Sequence, residues 1–144
     1  MAVTVPDRHK SKVEYDNTYF AVYDDAIKII KNNFGADKDK REEYKDYIRI
    51  MSGVILKLVM ELGTHIRIAN SAYPTCRKEL EIRRSEQDKA IGICFDLLTK
   101  YDLIMHELRV KDDKYVQEIQ HIVHEINCLK SWRRSDNKRF NDLG

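Results

Sequence analysis

A chain of 144 residues with 42% apolar and 35% charged side chains has core and surface enough for one folded domain, which excludes wholesale disorder. Five glycines and two prolines are too few for a sandwich or barrel, where a turn signal recurs about every 8 to 12 residues. The formal net charge of +2 does not by itself imply nucleic acid, so any such role depends on where the charges sit.

Residues 1–14 show no periodicity and read as a flexible N-terminal arm. Asp7, Arg8, Lys10 and Lys12 follow the opening residues too closely for a signal peptide. A first helix is predicted over residues 15–34, with Tyr19, Val22, Tyr23, Ala26, Ile29 and Ile30 on one face, Asp16 or Asn17 as cap and Gly35 as stop. After a charged connection, a second helix spans about residues 40–70, its inner face running from Tyr44 through Ile55, Leu62 and Ile66. Asn70, Ser71 and the Tyr73–Pro74 step end it in a sharp turn. A third helix follows over about 75–109, lined by Leu80, Gln87, Ala90, Cys94, Leu97, Tyr101 and Leu108. Asp112 or Asp113 then caps a fourth helix over about 114–133, lined by Tyr115, Ile119, Ile122, Ile126, Leu129 and Trp132. Residues 134–144 read as a polar basic tail. Four amphipathic helices with short connections imply an all-α fold, an antiparallel up-down four-helix bundle over residues 15–133.

The longest apolar run, residues 54–62, is broken by Lys57 and Glu61 and is too short to span a bilayer. Cys76, Cys94 and Cys128 form no Cys-x-x-Cys pair, so neither a zinc ribbon nor a disulfide scaffold is indicated. Cys94 and Cys128 fall on apolar stripes, as small core residues in a reducing, cytoplasmic compartment would.

Signals for catalysis are sparse. Glu118 and His121 have the Glu-x-x-His spacing of di-iron bundles, with His124 and Glu125 beside them and Glu61 and His65 on the second helix. Such centres need that spacing on two helices and Glu from two more, so solvated or interfacial polar residues are the simpler reading, and no metal or cofactor is expected. No nucleophile elbow, phosphate loop or dinucleotide fingerprint is present, so the chain reads as a non-enzyme. Eight tyrosines at helical spacing fit core positions with rim hydroxyls better than a base-stacking platform.

Charge placement says more. The third helix opens with Arg77, Lys78, Arg83, Arg84 and Lys89; the fourth ends with Lys130, Arg133, Arg134, Lys138 and Arg139. The shorter fourth helix returns only part of the way along the third, toward Arg83, Arg84 and Lys89. One basic surface built from these ten cations would attract a phosphate backbone, with each cation positioning the chain and not reading sequence. An acidic protein partner or a solvated face would use the same residues, since Glu79, Glu81, Glu86 and Asp88 interleave with them.

Three segments carry a family resemblance: Ala69-Asn70-Ser71-Ala72-Tyr73-Pro74, the run Arg83-Arg84-Ser85-Glu86-Gln87-Asp88-Lys89-Ala90-Ile91, and Leu129-Lys130-Ser131-Trp132-Arg133-Arg134-Ser135-Asp136-Asn137-Lys138. They resemble the accessory variability determinant proteins of diversity-generating retroelements. Those proteins are related to the bundles encoded by intervening sequences in bacterial 23S ribosomal RNA genes. The resemblance implies a four-helix fold, a homopentamer, nucleic-acid binding through basic surfaces, and partnership with a reverse transcriptase that copies a template RNA into mutagenic cDNA. The alternative is an oligomeric interaction protein of the intervening-sequence type with no role in reverse transcription. Phe34-Gly35 stands where relatives carry a Phe-Pro step, so the connection between the first two helices departs from the family pattern.

Overall fold

In the computed structural model, which describes residues 5–71 and 73–143 with side chains from residue 17 on, every regular element is helical. α1 covers Val5–Lys31. It takes in residues 5–14, where the sequence suggested a loose arm. Their sequence has no apolar repeat at helical spacing, but it includes good helix formers, and Pro6 sits in the first turn where its missing N–H costs little.

α1 ends earlier than predicted because Asn33, Phe34 and Gly35 turn left-handed, with φ of 53°, 57° and 78°. A bulky residue such as Phe34 rarely adopts that conformation. Here its side chain is fully buried and its carbonyl accepts the Tyr115 hydroxyl at 2.7 Å, so the core holds the turn.

The predicted helix over 40–70 is two helices, α2 (Lys38–Glu43) and α3 (Lys45–Ser71). Asp37 caps α2 by accepting the Lys40 N–H at 2.9 Å. The break falls at Tyr44, with φ −105° and ψ 25°. α4 (Arg77–Leu108) stops at Arg109 in the left-handed conformation, where the amides of Arg109 and Val110 both return to the Met105 carbonyl. The Lys40 ammonium donates to the Leu108 carbonyl at 2.7 Å, satisfying another open acceptor of that helix end.

A 3-10 turn, Asp112–Tyr115, leads into α5 (Val116–Arg139). Neither predicted aspartate caps α5; its N-cap is Tyr115, with no side-chain cap bond. At the other end the predicted polar tail is helix as far as Arg139. Asp136 and Phe140 are buried there and extend the inner stripe of Leu129 and Trp132.

α3 packs on α4, α4 on α5, α5 on α1, and α1 on α3, so four long helices enclose one core. Side-chain pairs between α4 and α5 join residues 83 to 136, 87 to 133, and 101 to the turn residue 115, so numbering falls along α5 as it rises along α4. Val59, Leu62, Cys94, Leu97, Tyr101, Ile122 and Leu129 are among the buried residues. Each large apolar side chain contributes on the order of 1.5–3 kcal/mol by leaving water. The α1–α3 approach is set by Gly63, where an added Cβ would lie 2.5 Å from the Tyr19 hydroxyl; that hydroxyl donates to the Val59 carbonyl at 2.8 Å. No helix among the described residues is long and apolar enough to cross a membrane.

Candidate nucleic-acid interface

The start of α4 and the end of α5 meet through the residues of the second and third resemblance segments. Arg83 lies on the buried stripe of α4 with Leu80, Gln87 and Ala90; Asp136 lies on that of α5 with Leu129 and Trp132. A charge on a core stripe must find a partner, because unpaired burial is costly. Arg83 donates through Nε and Nη2 to the two Asp136 oxygens at 2.7 and 3.0 Å, and Gln87 Nε2 donates to the same carboxylate at 2.8 Å. The Arg83 guanidinium stands 4.9 Å from the centre of the Trp132 ring and 5.7 Å from that of Phe140. Tyr73, in the turn before α4, meets Phe140 edge-on at 5.0 Å.

Around this buried pair a second layer forms. Arg133, half-buried, donates through Nε to Gln87 Oε1 at 2.9 Å, and through Nη2 to the Arg84 carbonyl at 2.6 Å and to Asp88 at 2.5 Å. Arg84 Nη2 donates to Asn137 at 2.9 Å. Of the cations that the sequence offers for phosphate contact, Arg83, Arg84 and Arg133 have partners across the α4–α5 seam. Arg83 is sealed inside, and Arg84 and Arg133 are engaged in tying α4 to α5. The periodicity carried the signal: both Arg83 and Asp136 fall on apolar stripes.

The remaining seven cations are exposed. Lys130, Arg134 and Lys138 follow one another at four-residue steps and so share one face of α5, with Arg139 beside them. Lys130 stands 5.6 Å from the centre of the Phe95 ring, and Arg134 donates to the Ser131 hydroxyl at 3.1 Å. On α4, Arg77 pairs loosely with Glu81 at 3.6 Å, Lys89 with Glu86 at 3.1 Å, and Lys78 is exposed. Surface pairs of this kind are worth about 1 kcal/mol or less, so they leave the cations able to exchange partners.

The polar residues considered for a metal are dispersed in roles of their own. Among the described residues no three His, Cys, Asp or Glu side chains gather as metal ligands. His121 Nδ1 lies 2.5 Å from Asp25 of α1, and His65 pairs with Glu86 across α3 and α4. Burial pushes the Glu86 carboxyl up, but His65 and Lys89 outweigh it and hold it below its ordinary value.

Glu125 corrects the expectation of a solvated or interfacial side chain. It is fully buried, with the Thr18 hydroxyl of α1 as its polar neighbour. Burial raises its carboxyl to about 7, against a smaller lowering from the Thr18 hydroxyl. Cys94, also fully buried, has its thiol pushed up by burial and by Glu125, which leaves it unreactive.

Comparison with protein-family models, curated proteins and solved structures finds no match for this chain.

Proposed function

We propose that the chain is a non-enzymatic, cytoplasmic accessory protein that binds nucleic acid, template RNA or cDNA, through the joined ends of α4 and α5 and partners a reverse transcriptase in mutagenic retrohoming. The observation that carries this reading is the meeting of the two resemblance segments. Arg83, Gln87 and Asp88 on one side and Trp132, Arg133 and Asp136 on the other lock together. Exposed around that lock are Lys130, Arg134, Lys138 and Arg139 of α5 and Arg77, Lys78 and Lys89 of α4. Cations fixed on a rigid element and drawn from two helices suit a phosphate backbone, which is recognised by charge and spacing.

The architecture in this proposal is an antiparallel up-down four-helix bundle, with α2 as a short insertion. The cross-helix pairs of α4 with α5, and those of α1 with α5 at Asp25–His121, support it.

A homo-oligomer, a pentamer by resemblance, is part of the same proposal. Ile50, Met60 and Ile68 on α3 and Ile82, Phe95 and Leu103 on α4 are exposed, and they are the apolar side chains that such an interface would cover. This observation equally favours the second reading, an oligomeric interaction protein without nucleic acid.

Filter binding of single-stranded RNA and DNA across a salt series separates the two. The accessory reading expects binding that weakens steeply as salt rises. Absence of binding at low salt, with an oligomer seen by light scattering, would leave the second reading.

A further inference from the structure

Cations also gather at the far end of the α4–α5 seam. A cleft of about 740 Å³ opens between the end of α1 and the start of α5. Lys28 of α1, Arg41 of α2 and Lys114 of the turn before α5 all line it. Among the described residues no ion pair joins Lys28 or Lys114 to a carboxylate, unlike Arg83, Lys89 and Arg133 at the other end. Arg41 donates through Nε to the Ala36 carbonyl at 2.8 Å, which orients the guanidinium and leaves its terminal nitrogens available. A smaller adjoining cleft shares Gly35 and Lys114 and adds Arg109 and Lys111.

The shape of the main cleft is fixed from behind. Gly35 lines it, and the left-handed turn that places Gly35 is anchored by buried Phe34 and the Tyr115 hydroxyl. Three elements thus bring positive charge to one concavity whose back wall is core. Asp113 and Glu118 on the same lining leave a formal excess of one positive charge, with neither Lys28 nor Lys114 in an ion pair among the described residues, and an anion that enters offsets that excess.

We propose that this cleft binds a phosphorylated small molecule of nucleotide size, its phosphates held by Lys28, Arg41 and Lys114. The volume lies within the roughly 300–1,000 Å³ of small-molecule sites. Asn32, Gln117 and Gln120 offer amides to the body of the ligand, and Ile29 and Val116 offer an apolar wall. Asp113 and Glu118 also line the cleft. Their carboxylates oppose a continuous phosphate backbone running through it, whereas a compact phosphate can seat against the three cations alone. The inference is independent of the proposed nucleic-acid surface, which lies at the opposite end of the α4–α5 seam.

Amide NMR titrations of the full chain with pyrophosphate, ADP, adenosine and a short single-stranded RNA test it. Pyrophosphate and ADP should each shift the signals of Asn32, Gly35, Gln117 and Gln120, and adenosine should not. Lys28→Glu with Lys114→Glu should weaken ADP by about tenfold or more while the circular dichroism spectrum is kept; Arg134→Glu should leave ADP binding unchanged. Should the double variant misfold, Lys114→Gln alone should still weaken ADP measurably. Cleft signals unmoved by both phosphates would overturn the proposal. So would adenosine binding as tightly as ADP, RNA shifting the cleft at lower concentration than ADP, or folded variants that bind ADP like the parent.

Discussion

Arg83 and Asp136 form a bidentate ion pair across α4 and α5, at 2.7 and 3.0 Å, with the arginine side chain 8% exposed and the aspartate fully buried. The pair sits where two runs of cations would otherwise repel each other. A planar guanidinium gripping both carboxylate oxygens, with Gln87 on the same carboxylate and Trp132 beside the arginine, fixes the register of α5 against α4. The exposed cations inherit that register, so the internal pair and the external charge are parts of one device.

Removing one partner should be far worse than removing both. Asp136→Ala strands a buried guanidinium and should cost about 3–5 kcal/mol, read as a lower urea midpoint. Arg83→Met with Asp136→Leu replaces the pair by apolar volume and should recover much of that loss. A single variant as stable as the parent would show the pair to be dispensable.

Surface and internal arginines should separate in binding. Arg134→Glu with Arg139→Glu should keep the melting temperature within a few degrees and weaken RNA binding. The slope of log affinity against log salt should fall by about 0.7 for each phosphate of a single strand that is no longer neutralised. Arg133→Ala should instead lower stability, because its guanidinium bridges Gln87, Asp88 and the Arg84 carbonyl. An unchanged salt slope in the double variant would put the nucleic acid elsewhere.

The sequence made the long apolar stripes of α3, α4 and α5 legible because each repeats at helical spacing over many turns. It concealed α1 before residue 15, where polar helix formers leave no stripe. It also concealed the turn at Asn33–Gly35, where burial of Phe34 imposes a conformation that local propensity disfavours. The basic ends were legible as composition, but their division into internal and external arginines was not. That division needs the partner helix, and only the position of Arg83 and Asp136 on apolar stripes hinted at it. The cations of the α1–α5 cleft were hidden for another reason: Lys28, Arg41 and Lys114 come from separate elements and share a wall only after folding.

The helix glycines should divide sharply. An added Cβ at Gly53 or Gly92 meets nothing within 4 Å, so Ala at either should stabilise by roughly 0.5–1 kcal/mol through helix propensity. At Gly63 the Cβ would lie 2.5 Å from the Tyr19 hydroxyl and 2.7 Å from the ring carbon that bears it, so Gly63→Ala must displace the Tyr19 ring, with loss of its bond to the Val59 carbonyl, or move α1 from α3. A cost of about 1–3 kcal/mol is expected, in thermal or urea unfolding. Equal effects at all three positions would contradict the close crossing of α1 and α3.

Glu125 should set an unusual pH dependence. Its carboxyl is raised to about 7 in the fold by burial, so the native state holds a proton that the unfolded chain, at an ordinary value near 4.5, gives up sooner. Its contribution to stability is therefore complete below about pH 4.5, is lost as pH rises toward 7, and changes little beyond. Groups facing it from the neighbouring helices are Thr18 and Tyr19 on α1 and Cys94 on α4; a Glu125 anion opposes ionisation of Tyr19 and Cys94, and none of the three supplies a counter-charge. Glu86 works in the opposite sense: held below its ordinary value, it loses its contribution as pH falls through the acidic range. Between pH 5 and 8 the Glu125 effect should dominate, at about 2–3 kcal/mol. Glu125→Gln keeps the shape without the titration, so it should flatten the stability profile over that window and raise the melting temperature at pH 8 more than at pH 5. A variant whose profile still tracks the parent across the window would show that Glu125 is not the group responsible.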